Sequence, residues 1–177
     1  MHPEYTLLVS ARRFDERALA DIYDLYSPGI YRYAWRLLGD VELAEECVAD
    51  TFSRFLEALK HRRGPRDHLK AYLYRIAHNW ISDHYRRRPP GSVSVEDINL
   101  SEPDSGSDHA AMQAIRRQVV WNALGELTPD QRQVIVLKYL EGWSNAEIAQ
   151  SLDKPISAVK ALRHRGIRAL RRLLEDE

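Results

Sequence analysis

Cysteine is nearly absent: Cys47 stands alone in 177 residues. One thiol excludes an internal disulfide and any Cys-x-x-Cys metal or redox pair, and its place among the apolar positions of an expected helix reads as a buried, inert side chain. No apolar run approaches the roughly 20 residues that span a bilayer, and the N-terminus lacks the apolar core of a secretion signal, so a cytoplasmic protein without membrane insertion is expected. His61, His68, His78 and His84 share no ligand spacing with a cysteine or a carboxylate cluster, so neither a metal nor a cofactor is expected. Acidic residues are missing from Lys154 to Leu174, and basic ones from residues 89–115. The zero net charge is therefore a sum of opposed fields: 15 Lys/Arg and 13 Asp/Glu in residues 1–88, none and 5 in 89–115, 11 and 8 in 116–177.

What is present is helical. Ser144 with Glu147 makes a capping box, starting a short helix at Asn145 that buries Ala146, Ile148, Ala149 and Leu152. Asp153-Lys154-Pro155 ends it, because a proline disfavours helical geometry in the residue before it. Ser157 then caps a second helix, which carries Val159, Leu162, Ala169, Leu170 and Leu173 inward with Gly166 allowing close approach, and leaves Lys160, Arg163, Arg165, Arg168, Arg171 and Arg172 for other faces. Short helix, tight turn and basic helix is the pattern of a helix-turn-helix that lays its second helix in the DNA major groove. The plainer reading is a helical hairpin with a solvated basic face; caps, turn length and one-signed charge together favour DNA.

Upstream, Asp15 caps a helix to about Tyr26 that buries Ala18, Leu19, Ile22, Leu25 and Tyr26, and Ser27-Pro28 restarts a second helix to Leu38, closed by Gly39. Asp40 caps a third, in which Ala44, Cys47, Val48, Thr51, Phe52, Phe55, Leu56 and Leu59 hold helical spacing. Its other face is acidic, either merely solvated or a docking surface for a basic or polar partner. After the basic loop at 61–68 a fourth helix runs from Leu69 to about Arg88, burying Leu69, Tyr72, Leu73, Ile76, Ala77, Trp80 and Ile81 and turning Lys70, Arg75, His78, Asn79, Ser82, Asp83 and Arg86 elsewhere. Cations beside Tyr74 and Tyr85 suit single-stranded nucleic acid, where aromatic faces take bases; the alternative is that these rings are core. Residues 91–109 read as a polar, acidic linker. Asp108 then caps a helix through Met112, Ile115, Val119 and Leu124, and Thr128-Pro129-Asp130-Gln131 starts another that carries Val134, Ile135, Leu137 and Leu140 to Gly142.

These blocks resemble one family, the extracytoplasmic-function (ECF) group of bacterial sigma factors in the sigma-70 family. YRYAWRLLGDVELAEECVADTFSRFLEAL and LKAYLYRIAHNWISDHYRRRP look like its region 2, and LGELTPDQRQVIVLKYLEGWSNAEIAQSL with AVKALRHRGIRALRRLL look like its region 4. The resemblance implies an all-α protein of two small helical domains, region 2 in residues 1–88 and region 4 in 111–177, joined by a flexible acidic linker, 89–110. It implies a non-enzymatic factor that binds core RNA polymerase at the clamp helices and the flap and directs promoter-specific initiation. Promoter DNA would be met as duplex at −35 and as opened strand at −10, and an anti-sigma factor would cover the same faces. Carried over by position, Glu46, Asp50, Thr51, Phe52 and Arg54 would dock on polymerase. Arg66, Asp67, His68, Asn79, Asp83, Arg86 and Arg87 would handle the −10 strand. Lys154, Ser157, Lys160, Arg163, His164 and Arg165 would face the −35 groove. The chain departs from the family in its Asp153-Lys154-Pro155 turn, where a Gly-hydrophobic-Pro turn is usual, and in the order Leu162-Arg163. Two rivals stand beside this reading: a one-component regulator whose N-terminal bundle senses a ligand or dimerises, and a recombinase with Tyr74 or Tyr85 as nucleophile.

Overall fold

Glu4, near the start of the first helix, ties together two elements far from it in sequence, and the packing of the first module follows from that. In the computed structural model, which describes residues 3–87 and 108–175, its carboxylate accepts from the Tyr26 hydroxyl and from the Leu69 backbone N–H, both at 2.9 Å. The second bond satisfies one of the orphan donors that begin every helix. Helix α1 (Pro3–Ala11), which has little amphipathic signal and was not expected, thus caps α4 (Leu69–Arg87) while burying Leu8 and Ala11.

Between them, α2 is one continuous helix from Glu16 to Leu38 where the sequence suggested two. Pro28 lies inside it on the exposed side, away from the core, while Ile22, Ile30, Tyr33 and Leu37 bury a single line across it. Leu25 falls at the edge of that line and is 59% exposed rather than buried. Asp15 accepts from the Ala18 N–H at 2.8 Å, and Gly39 takes the left-handed residue at φ 68°. Helix α3 (Val41–Lys60) is capped by Asp40 and buries the expected stripe except for Leu56, which is exposed. On α4, His78, expected to point outward, is buried, and Tyr74 joins the core.

In the second module α5 (Asp108–Gly125) leads to α6 (Pro129–Ile135), α7 (Asn145–Leu152) and α8 (Ile156–Glu175). The expected linker lies outside the described residues up to 107. Met112 and Ile115, expected inside, are exposed; Leu124 is buried. After Ile135 the α6 backbone widens into a π turn, Val136–Leu140, so Leu137 is buried but Leu140 is turned out to solvent, against expectation. Ala146 is exposed, also against expectation, whereas Ile148, Ala149 and Leu152 are buried. The capping box forms in both directions, Ser144 N–H to Glu147 at 2.8 Å and Glu147 N–H to Ser144 Oγ at 3.2 Å. Asp153 takes the left-handed conformation, φ 52°, that its turn demands. Ser157 is not the cap of α8: the helix begins at Ile156, with the Pro155 carbonyl accepting from Ala158 and Val159.

The two modules are packed together. One hydrophobic cluster runs from Leu8 in α1 to Val159 in α8. The Trp143 ring sits 4.6 Å from that of Tyr74, with Lys70 Nζ 4.2 Å above it. Trp121 of α5 meets Trp35 at 5.6 Å and closes over Gly39, where an added Cβ would lie 2.9 Å from the indole nitrogen.

Candidate nucleic-acid interface

Helix α8 is held by its apolar side. Gly166 packs on α6 so closely that a Cβ there would be 3.1 Å from Ile135 Cγ1, and Val159 is fully buried. With about 100° per residue, this places Ser157, Lys160, His164, Arg165, Arg168, Arg171 and Arg172 on the open side, all exposed. Leu162 packs against the core and Arg163 is half-buried at the margin of the open side. Lys154 is not free: it pairs with Asp130 at 3.2 Å. No acidic side chain of α8 interrupts the outer face before Glu175, so a positive strip is presented over four turns.

In the first module, Asn79 is exposed on α4, and Arg86 and Arg87 are exposed near its end, Arg86 bonded to Asp83 one turn earlier. Arg66, Asp67 and His68 lie exposed in the preceding loop, with His68 Nε2 4.0 Å from Asp67. His68 and Arg62 hold positive φ, 50° and 57°, conformations that non-glycine residues adopt at a cost of order 1 kcal/mol each. The loop therefore ends in a fixed bend that turns directly into α4.

The tyrosines are occupied elsewhere. Tyr74 is 4% exposed between Tyr33 and Trp143, and burial raises its pKa. Tyr85 donates to the Leu37 carbonyl, and Arg132 stacks on its ring at 4.1 Å. Both side chains are engaged within the protein, Tyr74 buried between two aromatic rings and Tyr85 by the Leu37 carbonyl and Arg132, so neither hydroxyl is poised as a nucleophile. On α3, Asp50 and Arg54 pair at 2.6 Å and Glu46 is exposed. Thr51, expected at the same docking face, is fully buried with its hydroxyl donating to the Cys47 carbonyl, and Phe52 lies inside against Tyr23. Both support the acidic face from beneath; neither presents it. Burial pushes the Cys47 thiol up to about 12, as its inert reading requires.

Sequence reasoning did not find the polar contacts between modules. Glu141, its side chain 3% exposed, accepts from Arg36 at 2.5 Å and Arg32 at 3.0 Å. Arg75 donates to the Gln150 and Ser151 carbonyls at the end of α7, where a cation also favours the helix dipole. Gln133 donates to the His78 carbonyl at 3.3 Å. The His78 ring, 8% exposed, lies 3.7 Å from Asp130, and burial lowers its pKa to about 4 despite that carboxylate. Arg132 fills the carbonyls of Leu124, Gly125 and Leu127, ending α5. An arginine in an otherwise apolar helix stripe is the one signal that could have found it.

A helix-turn-helix with an open basic face, packed on a first module whose last helix exposes Asn79, Arg86 and Arg87, is an arrangement suited to nucleic acid. Residues 22–89 match the family model for sigma-70 region 2, and residues 117–170 that for sigma-70, region 4. The chain is 30% identical over 155 residues to the ECF RNA polymerase sigma factor SigL of Mycobacterium tuberculosis, covering 88% of each. It is 28% identical over 173 residues to the ECF sigma factor BldN of Streptomyces coelicolor, covering 97% of this chain and 66% of that one. The solved structure of CnrH in complex with the cytosolic domain of CnrY superposes with a TM-score of 0.74 over 98% of both chains at 24% identity, a likeness of fold. The chain belongs to the ECF RNA polymerase sigma factors of the sigma-70 family. No described helix is long and apolar enough to cross a membrane.

Proposed function

We propose that this chain is an alternative sigma factor that acts in the cytoplasm, binds core RNA polymerase and directs initiation at its own promoters. Bond formation belongs to polymerase; this chain binds and separates strands. Residues 1–88 serve as the polymerase-docking and −10 module and 111–177 as the −35 module, with 89–110 joining them. The single observation that carries the reading is the pairing, in one chain, of an α8 face with five exposed Lys/Arg side chains and His164, and an exposed Asn79 on the helix that follows a bent cationic loop. Duplex and single strand pose different demands: the first is read by a helix in the groove, the second by contacts to a base taken out of the stack, which costs a few kcal/mol to extrude. Lys160 and His164, with Arg163 at the margin and Arg165 beyond, face the −35 groove. Asn79 and the Arg66–His68 loop take the −10 base, with Arg86 and Arg87 on its phosphates and Asp83 orienting Arg86. Glu46, Asp50 and Arg54 dock on the clamp helices, and the second module meets the flap. An anti-sigma protein would compete for these faces.

Run-off transcription with purified core polymerase on a library of genomic promoters tests the whole reading. Specific transcripts that depend on the protein support it; failure to bind core polymerase and to initiate from any promoter refutes it. Within that assay, Asn79→Ala should impair strand opening, read by permanganate reactivity, more than duplex binding, and an equal loss of both would remove its base-contact role.

A further inference from the structure

Arg12 lies in the turn after α1, outside the stretch that matches sigma-70 region 2. The fold nevertheless brings it to the loop that follows α3: Arg12 and Arg62, with Leu59 and Gly64, line a cleft of about 300 Å³. Two like charges converging on one concave site repel each other unless a counter-charge joins them. Among the described residues neither guanidinium has a carboxylate partner. The cleft is also held in shape. Arg62 sits at φ 57°, its N–H bonded to the Leu59 carbonyl at 2.9 Å and that of Arg63 to the Ala58 carbonyl at 2.8 Å. Gly64 packs closely on the buried Leu59: a Cβ there would meet Leu59 Cδ2 at 2.6 Å and force that side chain to shift. On the other side α1 is fastened by the Glu4 bonds to Tyr26 and Leu69. Unpaired arginines on rigid supports, one of them, Arg62, in the same 61–68 loop that carries Arg66–His68, are the arrangement that receives phosphate oxygens, for which guanidinium geometry is suited.

We propose that Arg12 and Arg62 form a phosphate cradle that grips the sugar–phosphate backbone of the opened promoter strand as it passes the Arg66–His68 loop. The cradle rests on the −10 role of that loop. It adds a contact from the turn after α1 that no base sequence would alter, because phosphate contacts position the strand without reading it. It extends the single-strand path from the end of α4 across to the first helix of the chain.

The test uses the full chain in holoenzyme with core polymerase. The probe is a promoter that wild type transcribes, built as a fork with duplex through −35 and a single non-template strand across −10. Neutralising both residues, Arg12→Gln with Arg62→Gln, should lower the slope of log K against log salt by about 1.4, since each single-strand phosphate contact accounts for about 0.7, and should weaken fork binding by on the order of tenfold at 0.1 M salt. Arg12→Lys with Arg62→Lys should keep most of the slope. Binding to a −35 duplex fragment, and the melting temperature, should not change, since both side chains are exposed and unpaired. An unchanged slope on the fork overturns the cradle, as does an equal loss on the duplex fragment. Asn79→Ala separates the two failures: if it weakens the fork while the arginine variants do not, the −10 role stands and the cradle falls; if all are silent, both fall.

Discussion

Lowering the pH should separate the two modules, and His78 sets how far. In the packed arrangement the ring is buried against Asp130 and Lys154, with Gln133 bonded to its own carbonyl, and its pKa is lowered to about 4, chiefly by burial. Asp130 pulls the pKa back up, but Lys154 shares that carboxylate at 3.2 Å and opposes it. With α6 and α7 moved away, the ring stands on the surface of α4 and returns to about 6.5. The packed state thus binds fewer protons. Its full stability is present above pH 6.5 and is lost as pH falls from 6.5 toward 4, by about 3 kcal/mol in all. Relative to pH 7.5, the ratio of separated to packed molecules should rise about fourfold at pH 6 and about thirtyfold at pH 5. Fluorescence energy transfer between labels on Arg17→Cys and Arg171→Cys reads this directly, because Cys47 is fully buried with its thiol pushed up to about 12 and does not compete for dye. His78→Leu should flatten the profile between pH 5 and 7. A transfer efficiency that stays constant over that range in wild type, or an undiminished pH response in His78→Leu, would refute the reasoning.

Glu141→Gln removes the carboxylate that Arg32 and Arg36 share; discounting the half-exposed Arg32, the loss is about 2 kcal/mol, and the same labels should report a larger separated fraction at pH 7.5. Gly166→Leu forces a side chain into the 3.1 Å approach to Ile135 and should cost about 1–3 kcal/mol, seen as a melting temperature lower by several degrees. Lys160→Ala should lower the salt slope of −35 duplex binding by about 0.9, whereas Arg163→Ala, half-buried at the margin, should lower it less; equal effects would mean the helix sits rotated in the groove.

Helix ends were the most readable part of this chain. The Asp15, Asp40 and Ser144 caps, the Gly39 stop and the left-handed Asp153 all stand where local chemistry put them, because each is decided by a few neighbouring atoms. Errors arose where a distant element intervened. Pro28 reads as a break until the line of Ile22, Ile30 and Tyr33 shows one core binding both halves. His78 and Tyr74 read as surface or strand-facing groups because what covers them, α6, α7 and Trp143, lies some 50 or more residues on. The candidate DNA faces were legible as charge patterns, but which residue faces outward was not: Lys154 is diverted by Asp130, and Arg163 is set at the margin by the packing of Leu162. Helix α1 escaped notice because its anchor, Glu4, acts on residues 22 and 65 positions away.

The π turn at Val136–Leu140 behaves as a one-residue insertion in an otherwise regular helix. Deleting one residue there would restore ordinary winding and rotate all that follows by about 100° relative to α6. Glu141 would swing off α2, and Trp143 would lose its approach to Tyr74, while every cap and apolar stripe in the helix-turn-helix stayed intact. The second module would still be a DNA reader, but one aimed differently from the first, so helical phase at this one turn decides whether the two modules share a single body.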